Sequence, residues 1–254
     1  MMMRIAFSNL AAPAWTLERT VEAVQEFGYD GLELRLLDGE PIDALEIAPA
    51  TRRAVAAALA ATPLVCLDTS IELAGAFERA VPAAIDLARE WGTDMLRVFA
   101  GDVRDLDDAA YRLEPLLEED VVVALETHDH FASATRVAEL VRIVGSPSFG
   151  AIWDMHHPAR VGESPADVVG QLGSALRLVH VKDARRRGDD WELVSLGEGE
   201  LPVRESIAAL GALGYEGWLS IEWEKRWHPE LAEPELALPR ELAALRAVFE
   251  APNS

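Results

Sequence analysis

Four short apolar runs in this sequence each end in a residue type that binds metal ions. Val121-Val122-Val123-Ala124-Leu125 leads into Glu126, and Phe149-Gly150-Ala151-Ile152-Trp153 into Asp154. Leu176-Arg177-Leu178-Val179 leads into His180, and Gly217-Trp218-Leu219-Ser220-Ile221 into Glu222. An apolar run of about four to eight residues is the pattern of a strand buried on both faces. A carboxylate at the end of such a strand is costly to bury unless a positive charge meets it. Taken singly, a Glu at a strand end is usually solvated and a His in an apolar run is usually a satisfied core residue. Recurrence at the ends of four successive runs points instead to one site, because three carboxylates and one imidazole suit a single hard divalent cation. Oxygen-rich ligation predicts manganese, magnesium or cobalt ahead of zinc, which the same ligands also accept.

The elements that must position these residues follow from periodicity. Strands are predicted over 4–8, 32–35, 64–67, 94–99, 121–126, 149–153, 176–181 and 217–221. Helices are predicted over 15–27, 49–61, 77–91, 106–117, 133–144, 164–172, 202–213 and 239–249. The first helix shows the reasoning: Leu17, Val21, Val24 and Phe27 recur at helical spacing, Thr16 can cap the start and Gly28 the end. Eight strands alternating with eight helices in 254 residues give about 32 residues per unit, the size of a βα repeat in an eightfold barrel. No Gly/Pro/Ser-rich linker breaks the chain, so 1–254 reads as one α/β domain, a single (β/α)8 TIM barrel. A doubly wound open sheet is the competing arrangement, but the glycine-rich phosphate turn it would favour after the first strand is absent. A parallel barrel carries its site at the C-terminal ends of its strands, where all four ligand candidates fall. Glu33 and Arg35 on strand two, Asp68 on strand three and Arg97 on strand four fall at the same level, with His128, His157 and Lys182 just past strands five, six and seven. So many titratable groups make a poor core and a good polyol site.

With Glu126, the Asp154-Met155-His156-His157 stretch, His180-Val181-Lys182-Asp183 and Glu222 so placed, the chain resembles the xylose isomerase-like TIM barrel family of sugar isomerases and epimerases over essentially its whole length. That family carries Glu, Asp, His and Glu on strands five to eight and an Asp-x-x-His on strand six, matched here by Asp154 and His157. The resemblance implies that Glu126 and Glu222 both ligate the metal and exchange the substrate proton. It also implies that His157, and a basic residue after strand seven such as Arg186, touch substrate oxygens. The turn Leu196-Gly197-Glu198-Gly199-Glu200-Leu201-Pro202 looks typical of the family too. The implied activity is a metal-dependent isomerase or epimerase of a sugar, sugar phosphate or cyclitol, working through an enediolate. A dehydratase or lyase acting on a keto-sugar or inosose would use the same metal site. Two stretches depart from a standard epimerase. His128 and His130 follow the strand-five ligand closely. The Trp223-Glu224-Lys225-Arg226-Trp227-His228 segment after strand eight would stack Trp223 or Trp227 on a ring and offer Lys225 to an anion.

Composition narrows the partners. There are 23 Lys and Arg against 44 Asp and Glu, a formal charge of −21, with Arg185-Arg186-Arg187 an isolated basic cluster. Such a surface repels phosphate backbones and anionic membranes, so neither nucleic acid nor membrane is expected as a partner. An abasic-site endonuclease on the same barrel would want more than the six histidines present and a basic face. A barrel acting mainly as a binding partner in a larger complex would not need the four-ligand set. Cys66, the single cysteine, excludes an intrachain disulfide and reads as a small buried hydrophobe. Met1-Met2-Met3-Arg4 runs straight into a strand without a signal-peptide pattern, and no stretch reaches membrane-spanning length. The expectation is a soluble cytoplasmic enzyme with a small-molecule sugar or polyol substrate. Assembly into a homo-oligomer stays open.

Overall fold

The computed structural model describes residues 3–188 and 190–250; Met1 and Met2, where the reading of the N-terminus begins, lie outside them. Eight strands form the barrel: β1 Arg4–Ser8, β2 Gly31–Leu34, β3 Leu64–Glu72, β4 Met95–Phe99, β5 Val122–Glu126, β6 Phe149–Asp154, β7 Leu176–Val181 and β8 Trp218–Ile221. Each pairs in parallel with its sequence neighbour, and β1 closes the ring by pairing with both β2 and β8. Closure through Arg4↔Trp218 and Ala6↔Gly31 rules out the open sheet. Outside the ring lie α1 Leu17–Phe27, α2 Pro49–Leu59, α3 Phe77–Trp91, α4 Leu106–Leu113, α5 Ala134–Val144, α6 Pro165–Leu172, α7 Val203–Leu213 and α8 Pro234–Glu250. Thr16, Asp105, Ser133 and Ser164 cap α1, α4, α5 and α6, each accepting a hydrogen bond from a backbone N–H three residues on.

Strand alternation builds two interiors. Outward residues such as Phe7, Leu32, Leu96, Leu125, Trp153, Val179 and Leu219 pack beneath the helices. Inward residues Ala6, Val65, Cys66, Met95, Ala124, Ile152 and Leu178 make a separate apolar plug, which accounts for the buried Cys66. Above the plug the inward positions turn polar: Ser8, Glu33, Asp68, Arg97, Glu126, Asp154, His180 and Ser220 are all buried. Each buried apolar side chain contributes about 1.5–3 kcal/mol, whereas an ion in such a place costs several kcal/mol unless it is paired. The plug and the outer core therefore have to support a charged layer that does nothing for stability by itself.

Several boundaries differ from expectation. β3 runs on to Glu72, and α4 stops at Leu113 because Pro115, which has no N–H, falls in the 3-10 turn Glu114–Leu116. α8 begins at Pro234, with Pro239 inside it. Two hairpins were not foreseen. The first, Leu36–Leu37 with Glu40–Pro41, turns on Asp38 and Gly39, both at positive φ. The second, Asp183–Arg187 with Asp190–Val194, stands directly on the end of β7. Its root is fixed by the Asp183 carboxylate, which accepts hydrogen bonds from the N–H groups of Ala184, Gly197, Gly199 and Leu201. A Cβ at Gly199 would collide with that carboxylate, so the 196–202 turn needs glycine there. No helix among the described residues is long and apolar enough to cross a membrane.

Candidate metal centre

Parallel register sets the level of each ligand. Asp154 pairs with His180 across β6 and β7, and His180 pairs with Ser220, two residues before Glu222. The Glu222 N–H continues the ladder to the Val181 carbonyl. One ligand atom from each of Glu126, Asp154, His180 and Glu222 then lies within 4.8 Å of the other three, and all four residues are buried. His180 Nδ1 is 3.3 Å from Glu126 Oε1 and 3.6 Å from Glu222 Oε2. His180 Nε2 is 2.9 Å from Glu33 Oε1. An ionised carboxylate only accepts, so in the neutral ring Nε2 carries the proton and Nδ1 turns a lone pair toward the cluster. His180 Nδ1, Asp154 Oδ2 and Glu222 Oε2 are buried without a hydrogen bond. Three carboxylates and one imidazole gathered around a common centre, with Lys182 as the fixed cation beside them, are the donor set a divalent cation requires, and these residues fit one.

Fixed cations already lean on the same carboxylates. Lys182 Nζ lies 2.8 Å from Asp154 Oδ2 and 2.5 Å from Glu224 Oε1, and it also contacts Glu222. Arg97 bridges Asp68 and Glu126 and donates to the Thr69 carbonyl at 3.1 Å. These neighbours pull the two glutamates apart. Burial raises Glu126, but Arg97 and His180 outweigh it and hold the carboxyl well below its usual range. At Glu222 burial prevails over Lys182 and His180 and pushes the carboxyl up to about 7. Burial likewise lifts Asp68 to about 6 against the pull of Arg97 and Arg35. Burial lowers His180, but Glu33, Glu222 and Glu126 raise it well above the ordinary imidazole value. Burial brings His156 down to about 4 and also lowers His157.

A cavity of about 320 Å³ opens onto the cluster. Of the sequence candidates, Arg97, Glu126, His128, Asp154, His157, Lys182 and Glu222 line it. His128 and His157 pack ring to ring, 4.3 Å between centroids, and His157 Nε2 sits 3.6 Å from Asp154 Oδ2. Glu33 is placed behind His180, fully buried, and not on the cavity wall. Arg186 does not line the cavity: it is exposed on the second hairpin, 5.7 Å over the Trp191 ring. The stacking expected of Trp223 and the anion contact expected of Lys225 also fail. Trp223 is buried with its indole N–H on the Ala232 carbonyl, and Lys225 Nζ is held by the Pro229 and Leu231 carbonyls and by Glu233. Trp227 does reach the mouth, and so does Trp191, which sequence reading missed because its hairpin was missed.

A family model described as "Xylose isomerase-like TIM barrel" matches residues 21–248. Fructoselysine 3-epimerase of Escherichia coli O157:H7 is 27% identical over 137 residues, 54% of this chain and 46% of that protein. The chain's matches span less than half the length of its curated relatives. A solved xylose isomerase-like TIM barrel/4-hydroxyphenylpyruvate dioxygenase fusion protein superposes with a TM-score of 0.79 at 22% identity, covering 98% of this chain and 43% of the fusion. The probable 3-DHS dehydratase of Bacillus anthracis superposes at 0.74 with 19% identity, covering 99% of this chain and all of that one. At such identities the likeness is one of fold.

Proposed function

Because the chain belongs to the xylose isomerase-like TIM barrel family, we propose that it is a divalent-metal-dependent isomerase or epimerase of a sugar or cyclitol. The observation that carries this reading is the convergence of Glu126, Asp154, His180 and Glu222 within 4.8 Å at the ends of four successive strands. Those residues would hold the ion, with manganese, magnesium or cobalt favoured by the oxygen-rich set. When bound, it would polarise adjacent carbonyl and hydroxyl oxygens of a substrate and make the proton between them acidic. Glu126, kept ionised by Arg97, is the group suited to take that proton. Glu222, the second glutamate of the set, is the group suited to return one. Return to the other face of the same carbon gives epimerisation; return to the neighbouring carbon gives isomerisation. His128 and His157 close the wall above the ligands and can position hydroxyls. Loss of a β-hydroxyl in place of proton return would make the same site a dehydratase.

The test is exchange of the substrate α-proton in deuterated water, run from each reaction partner. Glu126→Gln and Glu222→Gln keep shape and one ligand oxygen but remove the basic oxygen. Each should lose about 10²–10⁴-fold in turnover and block exchange from one partner more than the other. Near-wild-type exchange in both variants would mean that the glutamates only hold the ion.

A further inference from the structure

Two arginines enter the barrel mouth from β2 and β4, and their surroundings are unequal. Arg97 is held on every side: Nε lies against Asp68 as an ion pair without hydrogen-bond geometry, Nη1 donates to Glu126 and Nη2 donates to the Thr69 carbonyl. Arg35, which follows β2, is as deeply enclosed, only 5% exposed, and it lines the cavity. Yet Arg35 Nε and Nη1 make no hydrogen bond. Its single carboxylate neighbour is Asp68 Oδ1 at 3.6 Å, an oxygen that Arg97 holds more closely. A buried guanidinium left this way is costly, and folds retain such groups where a ligand completes them.

We propose that Arg35 is a substrate-binding residue that receives a carboxylate of the substrate, so that the polyol handled by the metal centre is a sugar acid or a similar hydroxy acid. The proposal rests on the metal–polyol reading above and adds the charge of the substrate to it. A guanidinium has no acceptor atom, so its partner must bring oxygens, and its planar fork matches a carboxylate with two parallel bonds. A phosphate group usually takes a set of backbone N–H donors from a glycine-rich turn or helix N-terminus, and no glycine lines this cavity. The placement is also apt. Arg35 stands on the β2 side, whereas the ligands come from β5 to β8 on the other side of the ring. A molecule spanning the cavity would meet the ion with its hydroxyls and Arg35 with its acid end.

The test compares three five-carbon probes on metal-loaded protein by calorimetry: xylitol, D-xylonate and D-xylulose 5-phosphate. Wild-type protein should bind xylonate at least about tenfold more tightly than xylitol, the scale of one charge-assisted pair. Arg35→Met should weaken xylonate by about 10–100-fold, leave xylitol within about threefold and keep the metal content. Asp68 keeps Arg97 as its partner in that variant, so the barrel should still fold. Arg35→Lys keeps the charge and loses the fork, so it should weaken xylonate several-fold even if the Met variant folds poorly. Equal wild-type affinity for xylitol and xylonate overturns the proposal while leaving the metal–polyol reading in place. So does a xylonate preference that survives in Arg35→Met, because the carboxylate would then sit on the ion. Arg35-dependent binding of the phosphate ester tighter than that of xylonate overturns the carboxylate assignment. Failure of wild-type protein to hold an ion or any of the three probes overturns both readings.

Discussion

The two sides of the barrel mouth carry opposite imbalances. Strands β5 to β8 bring Glu126, Asp154 and Glu222 around His180, with Lys182 as the fixed cation among them. Strands β2 to β4 bring Arg35 and Arg97 around Asp68. On the first side three carboxylates share Lys182 and one imidazole; on the second two guanidiniums share Asp68, and Arg97 also reaches across to Glu126. A fold selected for stability alone would pair them off, since replacing buried ions by apolar residues is often neutral or stabilising. Arg97 and Glu33 link the two sides, while Arg35 and the acidic cluster both border a cavity of about 320 Å³. The pattern is expected of a site completed by an ion on one side and a ligand on the other.

The strongest way to break this contrast is on the acidic side. His180→Ala removes the only nitrogen ligand while leaving the plug beneath it untouched. Metal content by elemental analysis should fall by more than the 10–100-fold in affinity that typically follows loss of a ligand's supporting partner. The far-ultraviolet dichroism of the barrel should persist. Full metal content in that variant would mean that β7 contributes no ligand.

On the basic side, Arg97→Met strips the cation from two buried carboxylates at once. Chemical denaturation should show a loss of about 3–5 kcal/mol, the usual cost of orphaning a buried charge. A loss below about 1 kcal/mol would mean that water or protonation already compensates Asp68 and Glu126.

pH should sharpen the comparison next. Glu222 and Asp68 are raised above their unfolded values, to about 7 and about 6, and His180 is raised as well. A folded state that binds extra protons is favoured at low pH. The carboxyl contributions are therefore present below about pH 4 and are lost as pH rises to about 7; that of His180 begins to fall above about 6.5. Metal-free protein should lose stability between about pH 5 and 7.5, by an order of a few kcal/mol. Metal-loaded protein should gain over the same window, because the ion requires deprotonated ligands. Thermal denaturation of chelator-treated and loaded samples measures both slopes, and a flat metal-free profile would show that these groups are not raised.

The smallest expected effect belongs to Glu33→Gln. It keeps a bond to the His180 ring but removes the charge that fixes the tautomer, so metal affinity should fall by about 10–100-fold with the fold intact. An unchanged affinity would leave Glu33 a mere neighbour of the ring.

The barrel and the strand-end ligands were legible in sequence because both are local signals. An apolar run says strand, and the residue that ends it says what stands at the mouth. The pairing of Glu33 with His180 was not legible, because 147 residues separate the two and only ring closure brings β2 and β7 to face each other. Arg35 was seen as a polar strand end, but its lack of partners is a property of the packed interior. Arg186 was placed by analogy, and the hairpin it sits on carries it outward. One missed element did leave a local trace: Asp38-Gly39 has the residue types that a two-residue hairpin turn demands. The misplaced start of α8 has the opposite cause. Pro239 looks like a first-turn proline and hides the fact that Pro234, Ala237 and Leu238 continue the buried face of the helix backwards.

The four backbone bonds to Asp183 bear on how this site can change. They anchor the root of a hairpin whose far strand brings Trp191 and Leu193 to the rim of the cavity. Because the anchor is made by backbone N–H groups on Asp183, the far strand can accept new side chains while the root of the hairpin keeps its place. Changes at 191 and 193 would therefore reshape the rim first, with Trp191 also giving up its edge contact with His156.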